Sequence, residues 1–346
     1  MVKYTKDFCM ELLKKILRTN SVSGYETDLK NLVMDHFEKN GLETKVSPLG
    51  NISAKKSGRM PFTVLFDAHY DQIGFVVQKI EKDGIMRIKN VGGIDSRLIL
   101  GTELKVLGKK DLKGVVATKP PHLSSKEDRK KVPKMYEFLL DTGYSESWVN
   151  QNVEVGDPVV FDSEPFENGD SIFGPAIDNR AGLYLLLKLS DFLKNYTPEN
   201  TVILRTTVQE EVGIRGASIP TEDICDLVVV IDATFANQHK ADSERSFDSA
   251  KGPTLMFGPN YDIEATEKIE KLAKEKGIKT QREIEESVRG TNAYSYRVIS
   301  GGHKLVGVSY PILNMHSPYE VVNKKLLDHT FSLLKGVAEC SREDIL

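Results

Sequence analysis

Apolar positions recur at helical spacing near the start of the chain. Phe8, Leu12, Leu13, Ile16 and Leu17 share one face of a helix predicted over residues 5–18. Leu29, Leu32, Val33, His36 and Phe37 repeat that pattern over 25–39, and Gly41 supplies a stop. On this apolar face His36 reads as a core or half-exposed histidine, not a ligand. Short strands are predicted near 43–47 and 51–55. The run Phe62-Thr63-Val64-Leu65-Phe66 reads as a strand buried on both faces, and it stops in Asp67-Ala68-His69-Tyr70-Asp71.

The texture changes from about 73 to 165. Short β-like runs (Gly74–Ile80, Ile85–Ile88, Glu103–Leu107, Gly114–Thr118, Pro158–Phe161) alternate with turn signals such as Asp83-Gly84 and Gly92-Gly93. Helical periodicity shows only around 145–151, and the lysine-rich stretch Ser124–Lys134 reads as a solvated loop. From 175 an α/β rhythm returns. A helix is predicted at 181–195, strands at Thr201–Val208 and Leu227–Ile231, a helix at 263–276, a strand near 279–285 and a closing helix at 324–340. The expected fold is α/β, a mostly parallel mixed sheet flanked by helices, with a small β-domain inserted. Residues 1–72 and 166–346 would form the main domain and 73–165 the insert.

Composition narrows the function classes. The chain has 346 residues and a net charge of -3, so no global basic field points to nucleic acid or an anionic membrane. No stretch approaches the ~20 apolar residues of a membrane span. Residues Met1–Asp7 lack an apolar leader pattern, and Cys9, Cys225 and Cys340 are far apart with no CxxC spacing. A cytoplasmic protein without disulfides is expected.

Acidic and histidine residues gather where apolar strands stop, the place where open α/β sheets bind ligands. In His69-Tyr70-Asp71 the i and i+2 side chains of an extended segment share a side, so Asp71 could fix the tautomer of His69. Asp178, between a Gly-Pro turn and a helix, is either a ligand or an ordinary helix cap. Glu210 and Glu211 follow an apolar strand, where adjacent carboxylates either share a cation or proton or sit in a solvated turn. Asp232, read as closing a four-residue apolar strand, is a ligand or a turn residue. His316, before Ser317-Pro318, lies where Pro318 forbids an ordinary helix. Together, histidines and several carboxylates suit a divalent-ion site. Two ions need a bridging carboxylate, and a glutamate outside the ligand set can then take a water proton.

The order and spacing of these segments resemble one family along nearly the whole chain. The matching stretches are Ser23-Gly24-Tyr25-Glu26, Gly50-Asn51-Ile52, His69 through Phe75, Val91-Gly92-Gly93-Ile94-Asp95, Lys119-Pro120-Pro121-His122-Leu123 and Val155-Gly156-Asp157. They continue with Asp178-Asn179-Arg180, Gln209-Glu210-Glu211-Val212-Gly213 and His316-Ser317-Pro318. The chain looks like a tetrahedral, dodecameric di-metal aminopeptidase, a family that includes glutamyl aminopeptidases and proteins labelled endoglucanase. The resemblance implies two divalent ions per subunit, Zn2+ or Co2+ first and Mn2+ as a further candidate. It implies His69 and Asp232 on one ion, Glu211 and His316 on the other, and Asp178 bridging both. Glu210 would be the general base and Asp71 would orient His69. The substrates would be short peptides with a free N-terminus. The insert would be barrel-like and would build dimers that assemble into a dodecamer.

The chain departs from the family pattern at Asn179 and Asn292, where aspartates are usual, and over Ala233–Ser249. These departures bear on substrate preference and efficiency. Competing readings are a glycoside hydrolase, which pairs carboxylates without two metals, and a non-catalytic, metal-stabilised assembly. His122 and His329 are read as structural, while His239 and His303 have no assigned role.

Overall fold

The computed structural model describes residues 6–117, 119–221, 223–240, 242, 244–285 and 290–346. The side chains of residues 6–9, 121 and 128 lie outside that set, and with them the predicted core position Phe8 and the thiol of Cys9.

Helices α1 (Lys6–Arg18) and α2 (Thr27–Lys39) open the chain, followed by strands β1 (Glu43–Val46), β2 (Ile52–Lys56) and β3 (Met60–His69). Next come β4 (Gly74–Ile80), β5 (Met86–Val91), β6 (Glu103–Leu107), β7 (Asp111–Ala117), β8 (Leu139–Asp141), helix α3 (Glu146–Asn152) and β9 (Pro158–Phe161). Strands β10 (Phe166–Asn168) and β11 (Ser171–Gly174) lead into helix α4 (Ile177–Lys194) and strands β12 (Asn200–Thr207), β13 (Leu227–Phe235) and β14 (Thr254–Phe257). The chain closes with α5 (Ile263–Glu275), β15 (Gln281–Ile284), α6 (Ala293–Val298), β16 (Lys304–Ile312), β17 (Glu320–Asn323), α7 (Lys324–Glu339) and α8 (Arg342–Ile345).

The main sheet has eight strands in the order β1-β2-β12-β3-β13-β16-β14-β15. Its centre, β12, β3, β13 and β16, is parallel, while β2 joins β12 and β14 joins β16 in antiparallel fashion. Both faces of the centre are covered, which explains the unbroken apolar runs. Val64, Phe66 and Ala68 of β3 enter the core under α1, α4 and α7, and Leu65 between them enters a second core with Tyr296 of α6. Leu227, Val229 and Ile231 of β13 alternate with Val228 and Val230 in the same way.

Strands β4 to β9 close into a barrel in the order β4-β5-β8-β7-β6-β9. Strand β7 shows the two-residue period plainly: Leu112 and Val116 face the barrel core while Lys113 and Val115 face out. The α/β fold with a barrel-like β-unit is therefore the observed architecture.

Some local readings need correction. Strand β13 does not close at Asp232 but runs to Phe235, because β16 continues beside it and pairs Asp232 with Ser309 and Phe235 with Ile312. Helix α4 starts at Ile177, so Asp178 lies in its first turn, with non-helical dihedral angles at Asp178 and Asn179. Strands β10, β11, β14 and β17 have three or four residues each, too few to show an alternation in sequence. No helix among the described residues is long and apolar enough to cross a membrane.

Candidate functional site

The carboxyl ends of the parallel strands deliver the site. His69 ends β3, Glu210 and Glu211 follow β12, Asp232 projects from β13, and His316 lies in the loop between β16 and β17. Asp178 comes from the first turn of α4. Backbone positions here are left-handed without being glycine, among them Gln209 (φ 56°) just before the glutamate pair, Ala176 (φ 53°) ahead of Asp178, and His316 itself (φ 60°). Such conformations persist where the surroundings over-determine them, often at functional sites.

The structure brings all the predicted site residues together. Asp178 is the shared element: its Oδ1 lies 3.3 Å from His69 Nε2 and its Oδ2 lies 3.5 Å from His316 Nε2. Asp232 Oδ1 is 3.7 Å from His69 Nε2, and Glu211 Oε1 is 3.4 Å from His316 Nε2. Two candidate ligand groups result, His69/Asp178/Asp232 and Asp178/Glu211/His316, and a third combines His69 with Glu210 and Glu211. Ligand atoms around a tetrahedral ion bonded at about 2.1 Å sit about 3.4 Å apart, so the first two groups already have a fitting spacing. Asp178 Oδ1 adds a second sign: it is sealed from solvent and makes no hydrogen bond. A carboxylate oxygen buried in that position favours a positive charge beside it, from a protonated imidazole or an ion.

Supporting contacts fix these ligands. Asp71 faces His69 Nδ1 at 3.4 Å, off the line of a hydrogen bond, and its two oxygens accept from Glu210 N (3.0 Å), Glu211 N (3.2 Å) and Ser23 Oγ (2.6 Å). It thus sets a carboxylate against the histidine ring while bonding the turn that carries the glutamate pair. His316 Nδ1 bonds the Gly93 carbonyl at 2.8 Å, which leaves Nε2 for the site. Gly92, at φ 81°, turns the chain after β5 so that the barrel rim reaches this ring.

The electrostatics follow from packing many carboxylates around two imidazoles. Burial pushes Glu210 up to about 8, with Glu211, Asp71 and Asp178 adding repulsion and His69 opposing it. Burial also raises Asp232 well above the usual carboxylate range. Burial would raise Asp178 too, but His316 and His69 outweigh it and hold its carboxyl well below that range. For His316, burial lowers the value but Asp178 and Glu211 lift it to about 11, and Asp178 and Asp71 likewise raise His69. The raised groups, Glu210, Asp232, His69 and His316, thus favour holding protons, while Asp178 favours its charged form.

The departures at Asn179 and Asn292 fall in supporting positions. Asn179 donates to the Ile231 carbonyl at 2.8 Å, which an aspartate cannot do, and accepts from Tyr310 Oη. Asn292 is buried and donates to Asp67 Oδ2 and Thr207 Oγ1, each at 2.7 Å. An aspartate at 292 would set two buried carboxylates against each other. From the divergent stretch, the described residues Thr234, Phe235, Arg245 and Phe247 line a cavity of about 440 Å3 that opens onto the ligands.

One residue goes unread in the sequence. Glu320, 1% exposed, accepts from Asp178 N at 2.8 Å and from His316 N at 2.6 Å. Its place in the sequence, four residues past His316, gives no sign that it reaches α4. Of the remaining histidines, His36 bonds Asp191 at 2.8 Å, His303 is buried against the Cys225 carbonyl, His122 and His239 are exposed, and His329 lies on α7.

Residues 50–333 match the M42 glutamyl aminopeptidase family. Lysyl aminopeptidase of Pyrococcus furiosus is 30% identical over 337 residues, covering 95% of this chain and 96% of the relative. The TET aminopeptidase from a marine sediment archaeon, Thaumarchaeota archaeon SCGC AB-539-E09, superimposes with a TM-score of 0.92 at 27% identity, covering 98% of both chains. The Pyrococcus horikoshii TET1 peptidase, which can assemble into a tetrahedron or a large octahedral shell, gives a TM-score of 0.85 at 29% identity over 95% of this chain and 99% of that one. The chain belongs to the M42 glutamyl aminopeptidase family. Aminopeptidase activity is the function that membership supports.

Proposed function

We propose that this aminopeptidase removes the N-terminal residue of short peptides with two divalent ions, and that Glu210 is its general base. The observation that carries the reading is the Asp178 carboxylate, whose two oxygens face His69 and His316 separately. Asp232 would complete the set on the His69 side and Glu211 the set on the His316 side, with Zn2+ or Co2+ as the first candidates and Mn2+ as a further one. When bound, such an ion pair acidifies water and polarises a carbonyl.

The chain's own residues supply the rest. Glu210 is absent from both groups built on Asp178, so its carboxylate is left to take a proton from water and return it to the leaving amine. A base works best with a pKa near the working pH, and burial moves Glu210 in that direction. Asp71 holds the His69 ring and the glutamate turn in one frame. We further propose that residues 1–72 and 166–346 form the catalytic domain and 73–165 a separate domain that builds dimers. The shells formed by the Pyrococcus horikoshii relative support assembly into a dodecamer. Cys225 and Cys340 are buried free thiols, in keeping with a cytoplasmic location.

Two results are expected from this arrangement. Asp71→Asn weakens divalent-ion affinity about 10- to 100-fold, the usual effect of losing a carboxylate behind a histidine ligand. A competition titration against a chromophoric chelator measures it, and wild-type affinity would remove Asp71 from its role. The second result concerns pH. His69, His316 and Asp232 all have raised values, so an arriving ion must displace protons. Affinity therefore rises with pH, by about tenfold per unit for each proton displaced. The same titration repeated across pH checks this, and a flat profile would contradict it.

A further inference from the structure

Strand β17 pairs antiparallel with β11, setting Glu320 opposite Gly174, three residues before α4 begins. This pairing brings a carboxylate from late in the chain to the first turn of α4. That turn has no cap of its own: Ala176 stands at the N-cap in a left-handed conformation (φ 53°) and makes no side-chain cap bond. Glu320 Oε2 fills the vacancy by accepting from Asp178 N at 2.8 Å. A helix cap would need no more than this.

The other oxygen goes further. Glu320 Oε1 accepts from His316 N at 2.6 Å, and His316 sits in a left-handed conformation that its side chain disfavours. Holding a buried carboxylate here is costly unless both oxygens are satisfied. Both are satisfied, by the amides of two residues whose side chains face each other at 3.5 Å. One rigid group thus fixes the peptide planes of two residues that lie far apart in sequence.

We propose that Glu320 is a positioning residue that sets the distance between Asp178 and His316 and so forms the ion site they share with Glu211. The proposal rests on the two-ion reading above. It predicts an unequal effect, because Glu320 touches the backbones of Asp178 and His316 but not those of His69 or Asp232. Glu320→Gln keeps the volume and one accepting oxygen but turns an NH2 group toward one of the two amides. The ion held by Glu211 and His316 then binds about 10- to 100-fold more weakly, and the ion held by His69 and Asp232 changes less.

The test titrates the metal-stripped protein with Zn2+ and follows the Co2+ absorption spectrum, which reports ligand geometry. Wild type, Glu320→Gln and Glu320→Asp are compared, each with its thermal melt. Two-ion binding by wild type with one site selectively weakened in Glu320→Gln supports the proposal. Unchanged affinities and spectrum with only a lower Tm would make Glu320 a plain helix cap and overturn it. If Glu320→Gln does not fold, Glu320→Asp is judged by the same criteria, and failure of both to fold also overturns the positioning role. Wild type binding fewer than two ions would sink the two-ion reading itself, a result distinct from any behaviour of the variants.

Discussion

Glu210→Gln lowers kcat/KM by about 10²- to 10⁴-fold, the contribution of a well-placed general base, while ion stoichiometry stays at the wild-type level. Glutamine keeps the size of the side chain and its carbonyl, so the cavity and the turn after β12 are preserved. What is lost is a group able to hold and release a proton. Glu210 N bonds Asp71 through the backbone, and the substitution leaves that bond in place. The competing arrangement has a distinct signature. If His69, Glu210 and Glu211 together held an ion, glutamine would remove a ligand and the protein would lose metal along with activity. Measuring bound metal and turnover on the same sample separates the two, and near-normal turnover would refute the base assignment outright.

Asp178→Ala has the largest expected effect. It removes the only carboxylate common to the two Asp178-based groups, so occupancy of both ion positions falls together. Metal ions in such sites supply several kcal/mol of transition-state stabilisation, so activity drops by at least about a thousandfold. His69 and His316 would also face each other's charge without the intervening carboxylate whenever both are protonated. Metal content by elemental analysis and kcat/KM for a peptide substrate measure the two consequences. Retention of both ions would show that Asp178 does not bridge.

Much of this was legible because packing constrains sequence strongly. The central strands are covered on both faces, so Val64–Phe66 and Leu227–Ile231 had to be apolar, and the residues after them stood out. His69 with Asp71 was readable from the two-residue period of an extended segment. Asp232 was harder: whether a strand ends depends on the strand beside it, and β16 lies far along the chain. Glu320 was out of reach for the same reason. Its function exists only once β17 has paired with β11, across well over a hundred residues of intervening chain. Asn179 and Asn292 stood out only as departures from a pattern. Their meaning comes from the Ile231 carbonyl and the Asp67 carboxylate, neighbours that the sequence does not announce. The barrel gave its alternation away in β7, but its strand order is non-local and had to be seen.

The most direct test is hydrolysis of a panel of aminoacyl-4-nitroanilides by protein treated with chelator and then given Zn2+, Co2+ or Mn2+. The account predicts no cleavage after chelation, restored cleavage with metal, and no cleavage when the amine is acetylated. Cleavage that survives chelation, or none with metal shown to be bound, would contradict it.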